Sequence, residues 1–169
     1  MELAGGIVGS ALTLLKRSVE PGISTKELDA IAYKEITRLG AKPAFKGYRG
    51  FPASICASVN EEIVHGIPGK RVLKDGDIIK MDVGATINGF IGDAAVSVPV
   101  GQVSPEAIKL MDATEESLKR GIKAAIPGNR IGDIGTAVQT YGESLGLSLI
   151  HISEPTRLGM ISYAVFCLK

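Results

Sequence analysis

Apolar residues recur every three to four positions over residues 3–19, at Leu3, Ile7, Val8, Ala11, Leu14 and Leu15. The same period returns at Leu28, Ile31, Ala32, Ile36 and Leu39. Each pattern predicts an amphipathic helix. Pro21-Gly22 separates the two, Ser24-Thr25-Lys26-Glu27 has the form of a capping box, and Gly40 closes the second helix. No capping residue precedes the first helix, so the chain is expected to lack a natural N-terminal extension. Residues 41–52, punctuated by Pro43, Gly47, Gly50 and Pro52, read as a loop. Residues 54–59 read as a strand, and Asp75-Gly76 marks a turn.

The pattern then changes. Asn88-Gly89 lies between two apolar runs, the strongest short-range signal for a β-hairpin, because its turn needs positive φ at both central residues. With those two as the loop, Ile87 pairs with Phe90 and Gly84 lies opposite Asp93. Asp82 is two residues before Gly84 and so shares its face. Asp82 and Asp93 become diagonal cross-strand neighbours, with backbones roughly 7–8 Å apart. The surrounding Ile, Met, Val, Ala and Phe residues predict a mostly buried hairpin ending near Pro99. Beyond it, Ser104-Pro105-Glu106 starts a helix running to about residue 125. Pro127-Gly128 breaks it, and a further helix spans 131–145 before Gly146.

The order helix, Pro-Gly, helix therefore occurs twice, with the two Pro-Gly pairs 106 residues apart. We read this as a weak internal duplication whose second copy lacks most of its sheet.

Composition narrows the function. The 169 residues suit one domain, and 45% hydrophobic with 22% charged residues is ordinary for a soluble globular chain. A net charge of +1 and the absence of Trp argue against direct nucleic-acid binding and against an anionic membrane surface. No apolar run reaches transmembrane length and no signal peptide is apparent. Two isolated cysteines, Cys56 and Cys167, fit a reducing compartment, so the cytoplasm is expected.

The carboxylate pair is the candidate chemistry. Two like charges on one buried face need a cation, a basic partner or a shared proton. Lys80, on the same face as Asp82, is one possible partner; a shared divalent ion and a solvated face are the others.

The segment from Tyr48 to Pro68, including Asn60-Glu61 and His65-Gly66-Ile67-Pro68, resembles the type I methionine aminopeptidases. The runs Leu73–Gly84 and Gly89–Asp93 continue the likeness, which extends from about residue 2 to about 147. The resemblance implies the pita-bread fold, an α/β duplication with its second half incomplete here. It implies two divalent metal ions (Co, Mn, Fe or Zn), with Asp82 ligating one and Asp93 bridging both. Such sites lower the pKa of a shared water and polarise the scissile carbonyl. His65 would act at the substrate rather than on metal, and Tyr48, Phe51, Cys56 and Phe45 would wall the pocket for a methionine side chain. The implied activity is removal of the initiator methionine from nascent peptide N-termini, by a monomer with possible ribosome association. A non-catalytic pita-bread module that binds peptides, and an Xaa-Pro dipeptidase, are the alternatives.

From Leu149 the likeness stops. The family's Gly-His-Gly-Ile-Gly-like motif and two later glutamates, which complete its ligand set, are not present. His151 lies between Ile150 and Ile152 rather than glycines, and Glu154 precedes Pro155, so neither inherits a metal role. Residues 1–148 are read as a partial aminopeptidase domain. Residues 149–169 are read as a tail outside the family, expected to be adapter or vector read-through. Metal binding is expected to be weak and turnover low.

Overall fold

The computed structural model describes residues 1–150 and 165–168. The chain divides into two compact units, Met1–Ser104 and Pro105–Lys169.

In the first unit, α1 (Glu2–Ser18) and α2 (Thr25–Arg38) lie where the 3.6-residue period placed them. Gly22, at φ +100°, turns the chain between them. The capping box is formed: Ser24 Oγ accepts from the Glu27 N–H at 3.2 Å, and the Glu27 carboxylate accepts from the Ser24 N–H at 2.8 Å. Four strands follow: β1 (Lys42–Pro43), β2 (Ile55–Val59), β3 (Ile78–Ile87) and β4 (Phe90–Pro99). All pairings are antiparallel. Along one side β3 pairs with β4; along the other it pairs first with β2 and then with β1. Ile87 opposes Phe90 and Gly84 opposes Asp93, the register that the Asn88-Gly89 turn dictates.

Alternation splits this sheet into two faces. Ile55, Ala57 and Val59 of β2 join Ile79, Met81, Val83 and Ala85 of β3 on one of them. They pack with Ile7, Val8, Ala11 and Leu15 of α1 and Leu28, Ala32 and Ile36 of α2 as one buried core. At Gly92 the backbones of β4 and α1 almost touch: a Cβ there would stand 2.6 Å from the Ala4 carbonyl, so only glycine fits. Ser10 Oγ donates to Glu35 at 2.8 Å and Arg38 grips the same carboxylate with two bonds, tying α1 to α2.

Two expectations need correction. Residues 41–52 are not only loop: Lys42 and Pro43 pair with Thr86 and Ala85, and Tyr48–Gly50 form a 3-10 turn. β3 outlasts β2, and the spare length of its edge accepts these residues. The hairpin is also not mostly buried. β3 is, but along β4 only Val98 is, with Phe90 53% and Ile91 58% exposed. The two apolar runs match in character, yet among the described residues the core covers β3 far more than β4.

In the second unit, α3 (Pro105–Ala124) and α4 (Ile131–Ser144) match the two expected helices. Gly121 lets them close up, since a Cβ there would meet Val138 Cγ2 at 2.9 Å. Asp133 Oδ2 accepts from the Arg130 N–H at 2.6 Å to start α4, and Arg120 stacks on Tyr141 at 3.9 Å. Strands β5 (Leu147–Ile150) and β6 (Val165–Leu168) pair antiparallel. His151, Glu154 and the rest of 151–164 lie outside the described residues. Each unit thus starts with a helix pair broken at Pro-Gly, Gly22 at φ +100° and Gly128 at +96°, and continues into strand. No helix among the described residues is long and apolar enough to cross a membrane.

Candidate active site

The sheet face opposite the core carries the candidate chemistry. Along β3 it presents Lys80, Asp82 and Gly84; β2 contributes Cys56, opposite Asp82, and Ser58, opposite Lys80. Asp93 joins from β4, opposite Gly84. The structure brings the two aspartates into hydrogen-bonding contact, and Asp82 Oδ1 is buried without a partner. Burial first, and then the charge and hydrogen bond of Asp93, raise the Asp82 carboxyl to about 7.

Lys80 is turned toward the loop after β2. Its Nζ donates to the Asn60 carbonyl at 2.7 Å, and the direction of the Asp82 shift is opposite to what a nearby ammonium would produce. The crowding is that of two hard oxygen donors held against each other. On that ground they fit one edge of a divalent-ion site. They supply only part of a coordination set: among the described residues no group of three or more His, Cys, Asp or Glu is placed to hold one ion.

Cys56 is buried and its thiol is pushed up to about 12, first by burial and then by Asp82 and Asp93. It stays a neutral thiol, which suits a soft wall contact and not a nucleophile. His65 sits in the loop after β2, exposed, with φ +59°. The next residue ties that loop to β2: Gly66 N–H donates to Ser58 Oγ at 3.0 Å, and Gly66 O accepts from Ala57 N–H at 2.8 Å.

The proposed wall residues divide. Phe45 reaches the site face, its ring standing where a Cβ on Gly84 would be, 2.6 Å from Cε1. Phe51 is half-buried. Tyr48 is 60% exposed beside Arg49, so it encloses nothing by itself. Two surface depressions, one lined by Arg120, Thr136 and Tyr141 and one by Glu2, Leu3 and Ser10, contain none of these residues.

Sequence reasoning overlooked three supports. Asp29 Oδ1 accepts from the Ser54 and Ile55 N–H groups at 2.7 and 3.0 Å, fixing the start of β2. Asn60, at φ +53°, accepts from the Ile78 N–H and donates to Asp77, fixing the start of the His65 loop. Ser58 fixes its middle. Only Asn60 carried a signal in the sequence, as a residue that tolerates positive φ just past a strand.

Known proteins resemble this chain in sequence and fold. The profile described as metallopeptidase family M24 matches residues 1–160. Methionine aminopeptidase 1 of Bacillus subtilis is 55% identical over 150 residues, covering 89% of this chain and 60% of that protein. The methionine aminopeptidase of Clostridium acetobutylicum is 49% identical over 151 residues, with the same coverage of 89% and 60%. Among solved structures, the methionine aminopeptidase of Thermotoga maritima superposes with a TM-score of 0.88 at 40% identity, covering 90% of this chain and 61% of that one. The prolidase of Pyrococcus furiosus, at 22% identity and a TM-score of 0.76, shares the fold. The chain spans about 60% of the length of the curated relatives it matches. Its mixed helix and strand order is that part of the pita-bread fold. With one family matched along almost its whole length, and these relatives sharing the fold that carries its aspartate hairpin, the chain belongs to metallopeptidase family M24.

Proposed function

We propose that this chain carries part of the catalytic site of a methionine aminopeptidase, the enzyme class that removes the initiator methionine from nascent polypeptides. The observation that carries the reading is the Asp82–Asp93 pair, in contact on one sheet face with Asp82 Oδ1 buried and unpartnered. Asp82 and Asp93 would hold divalent ions of the Co, Mn, Fe or Zn type. A bound ion supplies Lewis acidity toward a peptide carbonyl and lowers the pKa of water. His65 contributes a hydrogen bond at the substrate peptide near the scissile bond. Cys56, Phe51, Tyr48 and Phe45 offer a thiol and aromatic edges, soft contacts for a thioether.

Two carboxylates with no further ligand beside them among the described residues bind an ion weakly, and this chain turns over slowly. Calorimetric titration with Mn(II) tests the first point: weak binding in the wild type that disappears in Asp93→Ala is expected, and equal heats in both overturn the metal reading. Hydrolysis of a Met-Ala peptide with added Mn(II) tests the second; turnover near that of an intact enzyme sinks it. Xaa-Pro cleavage would favour the dipeptidase alternative, against which Asn60-Glu61 and His65-Gly66-Ile67-Pro68 speak. Peptide binding indifferent to metal would favour a non-catalytic module.

The same reading makes nascent N-termini the substrate and places a monomer in the cytoplasm, with ribosome association as a further expectation. It sets the end of the aminopeptidase-like portion near residue 148. The family profile reaches residue 160, and the boundary rests on the loss of family-like residues from Leu149. The coding DNA after Leu147 checks it.

A further inference from the structure

We propose that Ser58 is the positioning residue for His65, its buried hydroxyl holding the left-handed turn that presents the imidazole. The proposal rests on the reading of His65 as a substrate-contacting group. Ser58 is 2% exposed and lies on the aspartate face, two residues from Cys56. Its Oγ accepts from the Gly66 N–H at 3.0 Å, while Gly66 O accepts from the Ala57 N–H at 2.8 Å. Loop and strand are in backbone contact there: a Cβ on residue 66 would overlap Ala57 O and lie 2.9 Å from Ser58 Cα. His65, immediately before this clamp, holds φ +59°, a region that non-glycine residues enter uncommonly and histidine more readily than most. The other clamp bond is backbone to backbone, so Ser58 is the one side chain of the clamp that a substitution can remove.

The chain has two histidines, so histidine-selective labelling gives two imidazole spin systems, and His65→Gln assigns them. Ser58→Ala should move the His65 resonances toward those of a short peptide and speed Gly66 amide exchange about tenfold. Ser58→Thr, which keeps a hydroxyl, should restore both. Val59→Ala, on the core face, should lower Tm while leaving His65 unchanged. Unmoved His65 resonances in folded Ser58→Ala overturn the proposal, as does an equal movement in Val59→Ala. Should Ser58→Ala not fold, Ser58→Cys, with a weaker acceptor, should give a smaller shift in the same direction; no shift overturns the proposal. Binding of a Met-Ala dipeptide in the presence of Mn(II) separates the two readings. Binding that is equal in wild type and His65→Gln, with His65 displaced in Ser58→Ala, upholds the positioning role and overturns the role of His65 at the substrate.

Discussion

One strand shows two chemistries from one backbone. On one face of β3, Ile79, Met81, Val83 and Ala85 are fully buried against the helices of the first unit. On the other, interleaved residue by residue, stand Lys80, Asp82 and Gly84. The core face supplies favourable burial. The site face does the reverse: it crowds Asp82 against Asp93 and leaves a buried oxygen without a partner. The hairpin holds that arrangement because the core face over-determines its register. A shift of β3 by one residue would carry Ile79, Met81, Val83 and Ala85 off the core face and Asp82 onto it.

The largest expected effect tests the core face. Met81→Ala, at a side chain with 0% exposure, should cost about 2–5 kcal/mol, and Cys56→Ala, on the other face and 6% exposed, about 1 kcal/mol. Denaturant unfolding measures both, and a Met81→Ala loss of no more than about 1 kcal/mol would mean that this face is not the packed core. Asp82→Asn should act with the opposite sign. In metal-free protein at pH 7 it should stabilise the chain by on the order of 1–3 kcal/mol, because it removes a crowded charge. The same substitution should abolish Mn(II) binding in calorimetry.

A pH series sharpens the contrast. The Asp82 carboxyl is raised from 3.8 to about 7, so between those values the folded chain keeps a proton that the unfolded chain has released. The stability it contributes is complete below about pH 4 and lost as pH rises through 7. Metal-free Tm should fall over that window, and Asp82→Asn should flatten the fall. Glu35, on the helix side, runs the other way. Arg38 first and Ser10 next hold its carboxyl down to about 2 from 4.5. Its contribution is present above about pH 4.5 and lost as pH falls toward 2. Glu35→Gln should remove that acid-side loss, the smallest effect of the series, seen in Tm between pH 5 and 2.

Much of this was legible in the chain itself. The helices, the capping box at Ser24, the Asn88-Gly89 turn and the Gly84–Asp93 pairing all follow from local rules, since each is decided within about ten residues. The exposure of β4 was not legible, because Phe90, Ile91, Ala94 and Ala95 have the composition of a buried strand and what covers their faces is decided by tertiary packing. β1 was hidden by Pro43 and by its two-residue length; it forms because β3 offers edge. For the site, Asp82, Asp93, Cys56 and His65 were named from sequence, while Asp29 and Ser58 act across contacts 25 and 8 residues away in the chain.

By itself, then, the sequence determined the period of each element, the turn, and hence which aspartate faces which, because backbone stereochemistry and alternation are local. Tertiary structure alone decided the environment of those residues. It buried one Asp82 oxygen beside Asp93, turned Lys80 toward the Asn60 carbonyl, laid Phe45 over Gly84, and clamped the His65 loop to Ser58. Each of these depends on which distant groups share a volume, and burial, pKa and hydrogen-bond partnership are properties of that volume and not of the residue type.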